Sequence, residues 1–251
     1  WKIFKMIMSI IIPIKNQFKI VKMCIDSIIR HYKNEDVILV DDGSTEENLI
    51  NYLKNLQSEF PNWTFITNKT SLGHSLACTL GINSSKTNNI FLLNSDTIVT
   101  KNSLNILTKV LEENKEIAVV GPSTSSATGP QMLKELYEKR YVLSIDEIEK
   151  IAENLESNKE IIDIPLVNGF CFAIKKNVFK AVGKFDINLN SYGNEKELLI
   201  RIRNAGYRTV FVKGCYIHHF GKVSYSHENI NIGQACKDAD KLIIKKHGRL
   251  E

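Results

Sequence analysis

Across residues 1–120 short apolar runs alternate with amphipathic segments, and that alternation admits few architectures. Repeated βαβ units, which build a mostly parallel sheet with helices on its faces, are the one it fits best. Met8-Ser-Ile-Ile-Ile12 is a β-branched run stopped by Pro13, hence a buried strand. Phe18–Tyr32 carries Ile20, Val21, Ile25, Ile28 and Ile29 at helical spacing. Strands are expected at Val37–Val40, Trp63–Ile66, Ile90–Leu93 and Ile117–Val120, with helices at Glu46–Leu56, Leu72–Ile82 and Leu104–Leu111. The class is therefore α/β.

The second half is less regular. Ser123–Pro130 is a loop of small residues, too polar for a core element and longer than a simple connection needs. Ile145–Leu155 is helical, Pro165–Ile174 reads as a strand with Asn168-Gly169 embedded in it, and Thr209–Val212 as another strand. Residues 226–251 form a terminal helical tail with a basic end, to which no chemistry is assigned. A chain of 251 residues that is 43% hydrophobic suffices for one large domain, placed at 1–225.

Composition narrows the class of partner. The net charge is +5 and the Lys and Arg residues are scattered, without the basic stripe and interleaved aromatics of a nucleic-acid binder. The five cysteines (24, 78, 171, 215, 236) show no CxxC pair and read as thiols in a reducing compartment. The apolar run Met6–Ile14 is too short to span a bilayer. The expectation is a cytoplasmic protein, with peripheral contact to the inner face of an anionic membrane compatible with its charge.

Candidate chemistry sits where apolar runs end. Ile90-Phe-Leu-Leu-Asn-Ser-Asp96 delivers one carboxylate to the C-terminal end of a strand, where open α/β sheets place ligand-binding groups. Asn94-Ser95-Asp96 is also a good turn, whereas a hard cation would take an Asp96 oxygen together with substrate phosphate oxygens. Asp41-Asp42-Gly43-Ser44 either caps a helix or recognises a base or ribose. Gly73 and Gly81 lie at a helix start and inside a helix, positions that call for close packing or close ligand approach. Glu195 and Glu197 open a helix, where acidic side chains complement the dipole; at most one of them can face a cleft as a general base. His219, followed by Phe220-Gly221, is either structural or the second member of a metal site with Asp96.

In sequence order these pieces resemble family 2 of the glycosyltransferases. The resemblance is carried by Ser9-Ile-Ile-Ile-Pro-Ile-Lys-Asn16, Val40-Asp-Asp-Gly-Ser-Thr45 and Leu93-Asn-Ser-Asp-Thr97. It continues through Asn168-Gly-Phe170, Gly183-Lys-Phe-Asp186, Tyr192-Gly-Asn-Glu-Lys-Glu-Leu198, Arg201, Gly206-Tyr-Arg208 and His219-Phe-Gly221. It implies a GT-A fold, Rossmann-like, with a nucleotide-binding half over 1–120 and an acceptor and catalytic half over 121–225. It places Pro13, Ile14, Lys15, Asp42, Gly73, Asn94, Ser95 and Asp96 on the donor nucleotide, and Asp96 with His219 on a divalent cation, Mn²⁺ or Mg²⁺. Glu195 stands at the position of the catalytic base, with Glu197 as fallback, and Gly121, Ser123, Gln131, Asn168 and Gly169 lie on the acceptor and sugar side. Three positions depart from the family pattern: Asn94 replaces the first Asp of the DxD motif, the usual Glu-Asp pair is Asn194-Glu195, and Thr79 replaces an Asn.

The activity implied is an inverting transfer from a nucleotide sugar, a UDP-sugar first, to a hydroxyl of a glycan, lipid-linked or protein acceptor. Transfer to a polyprenyl phosphate and a non-catalytic sugar-nucleotide or glycan-binding module are the alternatives. A nicotinamide-dependent dehydrogenase is disfavoured, since no GxGxxG follows the first strand.

Overall fold

The computed structural model describes residues 8–189, 192–221 and 232–248. In chain order the elements of the first half are β1 (Met8–Ile14), α1 (Phe18–Tyr32), β2 (Asp36–Asp41), α2 (Glu47–Glu59), β3 (Thr64–Thr67), α3 (His74–Ser84), β4 (Asn89–Leu93), β5 (Thr97–Val99), α4 (Ser103–Glu113) and β6 (Ile117–Ser123). The second half adds α5 (Lys134–Tyr137), α6 (Ile145–Leu155), β7 (Ile161–Asp163), β8 (Cys171–Lys175), α7 (Lys176–Val182), α8 (Asn194–Asn204), β9 (Arg208–His219) and α9 (Ile232–His247).

The strands form one sheet in the order β3-β2-β1-β4-β8-β6-β9-β5, with β7 also on β9. The βαβ half is wholly parallel: β2 pairs β3, β1 pairs β2 and β1 pairs β4. The second half is mixed. Antiparallel β8 lies between β4 and β6, β6 and β9 run parallel, and β5 and β7 run antiparallel to β9. Parallel pairing therefore dominates only where helical crossovers follow one another, as the sequence pattern there requires.

Side-chain alternation explains the near-continuous apolar runs. Ile10, Ile12 and Ile14 of β1 face one layer with Val37 and Leu39, while Ile11 faces the other with Ile38 and Val40. Helices α1, α2 and α4 cover the first face through Val21, Ile25, Leu49, Leu53 and Leu107. Helices α3, α7 and α8 cover the second through Ala77, Ile82, Val178, Leu198 and Ile202. A strand covered on both faces has no solvent side, so it reads as apolar throughout.

Pro13 does not stop β1. The strand continues to Ile14, whose carbonyl accepts from the Asp42 amide at 2.8 Å. Residue 13 therefore turns its backbone polar groups toward β4, and that pairing has already ended at Ile11↔Leu92. The N–H that proline lacks has no partner to lose. The strand expected over Pro165–Ile174 is shorter, Cys171–Lys175, because Asn168 is held by side-chain bonds to a neighbouring loop. The strand expected at Thr209–Val212 extends to His219, since β9 finds partners in β6, β7 and β5 along its length. Among the described residues no helix is long and apolar enough to cross a membrane.

Gly81 shows how close the helical layer lies. A Cβ built there would stand 2.2 Å from Ile11 Cγ2, and Ile11 is fully buried and stiff at χ1. Gly81→Ala gains helix propensity but overpacks this contact, and overpacking costs about 1–3 kcal/mol. Urea unfolding should therefore show a lower midpoint for Gly81→Ala despite the better helix former.

Candidate active site

The carboxyl ends of β1, β2 and β4, the first turns of α3 and α8 and the end of β9 converge on one side of the sheet. Three loops on that side are tied together. The Asn16 side-chain oxygen accepts from Thr45 N at 2.8 Å and Glu46 N at 3.1 Å, while Asn16 N donates to Ser44 Oγ at 2.8 Å. Asn16 and Gln17 both adopt left-handed backbone (φ 52° and 66°), so the chain leaves β1 through a sharp turn just after Pro13, Ile14 and Lys15. Strain of this kind persists where surrounding bonds over-determine it.

Asp42 organises the loop before α3. Its carboxylate accepts from Asn68 Nδ2, Ser71 Oγ, Leu72 N and Gly73 N, all between 2.7 and 2.8 Å. Burial alone would push this carboxyl up; the four hydrogen bonds outweigh it and hold the group below the usual carboxylate range. All the lone pairs of an ionised carboxyl are thus committed within the protein. The structure gives Asp42 a loop-building role, its carboxylate closing the segment from Asn68 to Gly73.

Asp96 and His219 do meet. The turn Asn94-Ser95-Asp96 joins β4 to β5 and is closed by Thr97 Oγ1 donating to Asn94 O at 2.8 Å. Asp96 is buried, and its Oδ1 lies 3.3 Å from His219 Nε2, brought there by the antiparallel pairing of Thr97 with His219. His219 Nδ1 lies 2.6 Å from the Ser126 carbonyl, which can only accept, so Nδ1 carries the proton and Nε2 is directed at Asp96. Burial disfavours the charged imidazole, but the Asp96 carboxylate and the Ser126 carbonyl outweigh that and raise its pKa. The ring also stacks on Phe170 with centroids 4.8 Å apart. An oxygen and an orientated imidazole nitrogen facing each other, the far nitrogen fixed by a carbonyl, form a donor set suited to a divalent cation. Among the described residues no third His, Cys, Asp or Glu joins them, so an ion here would complete its shell with substrate oxygens.

Glu195 and Glu197, two residues apart on α8, have opposite surroundings. Glu195 lines a small cleft with Pro13, His74, Asn94, Gly169 and Asn194. Burial raises its carboxyl pKa, and the neighbouring His74 lowers it in part. Gly169 is what makes room: a Cβ there would fall 1.9 Å from Glu195 Oε1. Glu197 does not reach the cleft. Fully buried, it accepts from Arg201 (Nε at 2.9 Å, Nη2 at 2.6 Å), Lys246 Nζ at 2.5 Å and His247 Nε2 at 2.9 Å. Burial opposes its charge, and the hydrogen bonds from those three partners, with the Arg201 charge, outweigh burial and lower its pKa. The fallback base is a structural ion-pair centre, and the tail that carried no expected chemistry supplies two of its partners.

The residues expected on the acceptor side hold one another. Gln131 is fully buried; its Nε2 donates to Pro122 O at 2.8 Å and its Oε1 accepts from Asn168 N and Nδ2, both at 2.8 Å. Asn168 also accepts from Thr128 Oγ1 at 2.9 Å, and Ser123 Oγ donates to Lys213 O at 3.0 Å. Gly121 lies beneath, where a Cβ would meet Gln131 and Val167 at 2.5–2.7 Å. Gln131 and Asn168 thus lock the small-residue loop onto the segment carrying Gly169. His74 was not singled out from the sequence; a polar residue at the first turn of a helix was the only signal.

A sequence profile described as Glycosyl transferase family 2 matches residues 9–183. The chain belongs to that family. It is 26% identical over 198 residues to Glycosyltransferase GlyA of Streptococcus pneumoniae serotype 4 (strain ATCC BAA-334 / TIGR4), covering 76% of this chain and 28% of the relative. To an N-acetylglucosaminyltransferase of Rhizobium meliloti (strain 1021) it is 24% identical over 213 residues, covering 81% and 49%. The chain therefore spans less than half the length of these two relatives. GalNAc-T7, solved with UDP, GalNAc and Mn²⁺, superposes with a TM-score of 0.66 at 18% identity, over 85% of this chain and 43% of that one. A mannosyltransferase from Pyrobaculum calidifontis in complex with GDP-Man and Mn²⁺ gives 0.64 at 15%, over 87% and 58%. The fold of this family 2 member is GT-A, and the domain is a glycosyltransferase domain.

The two glutamates should respond oppositely to loss of charge. Breaking a buried ion pair by removing one partner costs about 3–5 kcal/mol, so Glu197→Gln should lower the melting temperature strongly at neutral pH. Because its folded pKa is depressed, the stability Glu197 contributes is present above the ordinary carboxylate pKa of about 4.3 and is lost as pH falls through the folded value. Glu197→Gln should remove that part of the acid sensitivity. Glu195 has a raised pKa, so its contribution weakens as pH rises from the unfolded toward the folded value. Glu195→Gln should hold or raise the melting temperature at neutral pH, and calorimetry of both variants checks the pair.

Proposed function

We propose that this domain transfers a glycosyl group from a nucleotide sugar, a UDP-sugar first among candidates, to a hydroxyl of a glycan, lipid-linked or protein acceptor, with inversion. One observation carries the reading. Glu195 rests on Gly169 and the Asp96–His219 pair stacks on Phe170, so a carboxylate of raised basicity and a set of cation donors flank one dipeptide. A single displacement needs that arrangement, with a base on one side of the sugar and stabilisation of the leaving group on the other.

Glu195 accepts the acceptor hydroxyl's proton as that oxygen bonds to the anomeric carbon. The bond from that carbon to the diphosphate oxygen breaks, and the diphosphate leaves with the electron pair. Burial suits Glu195 to this task, because a carboxylate with raised pKa holds a proton better than one in water. A divalent cation, Mn²⁺ or Mg²⁺, held by Asp96 and His219, would neutralise the charge of the nucleoside diphosphate. GalNAc-T7 and the Pyrobaculum mannosyltransferase were both solved with Mn²⁺, which supports the choice of ion. Asn16, Asp42 and Gly73 keep the loops on the nucleotide side in place, and Gln131 with Asn168 does the same on the acceptor side.

A nucleoside-diphosphate release assay over UDP-, GDP- and dTDP-sugars, with and without Mn²⁺, tests donor, ion and turnover together. With the active donor, Glu195→Gln should reduce transfer about 10²–10⁴-fold while UDP binding, read by calorimetry, stays within a few-fold. Asp96→Asn should weaken UDP binding in Mn²⁺ and remove its dependence on the ion. Transfer unaffected in Glu195→Gln would exclude this base and turn attention to acceptors already ionised, such as a polyprenyl phosphate. UDP binding without any release would instead mark a binding module.

A further inference from the structure

The loop of small residues after β6 does more than meet Asn168. Strand β6 ends at Ser123, opposite Tyr216, while β9 runs on to His219. Phe220 N donates to Asp96 O at 3.0 Å, so Phe220 turns its backbone toward the β5 side. Alternation along the strand turns the His219 N–H and C=O the other way, to the side where β6 has ended. Backbone groups there need partners of their own. The Ser125 hydroxyl supplies both, accepting from His219 N at 3.1 Å and donating to His219 O at 2.9 Å, and Ser125 is wholly buried. Its single proton is available for that carbonyl. His218 Nε2 lies 2.8 Å from the Arg140 carbonyl, which can only accept, so His218 Nδ1 is bare and takes its hydrogen bond from the Tyr216 hydroxyl at 2.9 Å.

We propose that Ser125 is a positioning residue for His219, fixing its backbone while the carbonyl of the next residue, Ser126, fixes its ring, so that Nε2 is set for a cation before the cation arrives. This rests on the reading of Asp96 and His219 as the cation donors. The Ser126 carbonyl accepts from His219 Nδ1 at 2.6 Å, which prevents the ring from turning over. Gly221 makes room for that contact, since a Cβ there would stand 2.3 Å from Ser126 Oγ. The loop is itself held in place. Thr124 N donates to Gln131 O and Leu133 N to Thr124 O, both at 2.8 Å, and Thr128 Oγ1 donates to Asn168 at 2.9 Å. Outer partners of a metal-binding histidine orient its ring and raise its affinity for the ion. Here they matter more than usual, because among the described residues no third His, Cys, Asp or Glu shares the task with Asp96 and His219. The hydroxyl takes the place of a neighbouring strand, and β9 can therefore carry a ligand beyond the end of β6.

The test is Mn²⁺ binding to the whole chain in saturating UDP, read from the electron paramagnetic resonance signal of the unbound ion. Ser125→Ala should weaken Mn²⁺ binding about 10–100-fold, and UDP binding, read by calorimetry, should recover as Mn²⁺ is raised, which a misfolded chain would not show. Ser125→Thr, which keeps the hydroxyl, should bind the ion within a few-fold of the unsubstituted protein. Unchanged affinity in Ser125→Ala overturns the inference, and so does equal weakening in both variants. If Ser125→Ala does not fold, proton NMR of the unsubstituted protein decides. The His219 amide and Nδ1 protons should both exchange slowly with solvent, and free exchange of either overturns the inference. Weakened ion binding in His219→Gln with unchanged affinity in Ser125→Ala leaves the cation donors standing and removes only the role of Ser125. Unchanged ion binding in His219→Gln removes the donor itself, and the role of Ser125 with it.

Discussion

The hydrogen bond from the Asn94 amide to the Phe170 carbonyl, 2.8 Å long, is the seam on which the site depends. It extends the antiparallel pairing of β4 with β8 one step past Leu93↔Cys171, where the first half of the fold meets the second. On the β4 side the next residues are Ser95 and Asp96; on the β8 side the preceding ones are Gly169 and Asn168. Every group assigned to the chemistry is within a residue or two of that bond or packs on one that is. Phe170 carries the ring under His219, Gly169 gives Glu195 its place, and Asn94 reaches His74. Because a buried backbone donor left unpaired is costly, the register is strongly held, and with it the spacing between carboxylate and cation donors.

Burial then does different things to carboxylates of similar chemistry. Asp42, with four hydrogen bonds, and Glu197, bonded by Arg201, Lys246 and His247, are both held ionised and engaged within the structure. Glu195 has only its own backbone N–H and the nearby His74 to set against burial, and its proton affinity rises. The same helix therefore carries one carboxylate held ionised by its neighbours and one whose proton affinity is raised beside a cleft. What separates them is the partner each side chain meets: Glu195 opens on Gly169, and Glu197, in the same turn, packs against Arg201, Lys246 and His247.

Much of this was legible in the sequence, and the physical reason differs by element. Helices α1 and α6 fall at Phe18–Tyr32 and Ile145–Leu155 as expected, because amphipathic spacing is a local signal written within each helix. The pairing of Asp96 with His219 was accessible only through the order of motifs along the chain, since contacts between residues so distant leave no local pattern. Asp42 was expected either to cap a helix or to meet a base or ribose, and its four donors come from a loop whose path the composition does not reveal. Gln131 and Asn168 were expected beside a ligand; that they also bond each other joins two segments far apart in the chain and leaves no local pattern. Residue 13 was taken as a stop because proline lacks a donor; the strand continues since no neighbour asks for one there. His74 was passed over for the same reason the tail was: its meaning lies entirely in what it touches.

The tail has a consequence for how the domain comes into being. Of the three partners around Glu197, Arg201 is on the same helix, but Lys246 and His247 belong to α9, more than forty residues later in the chain. A polypeptide is made from its amino end, so α8 emerges with a carboxylate destined for the interior before two of its three partners exist. Until α9 has been made, α8 has reason to stay at the surface. The packing of α8 into this domain should therefore be completed only once α9 joins it.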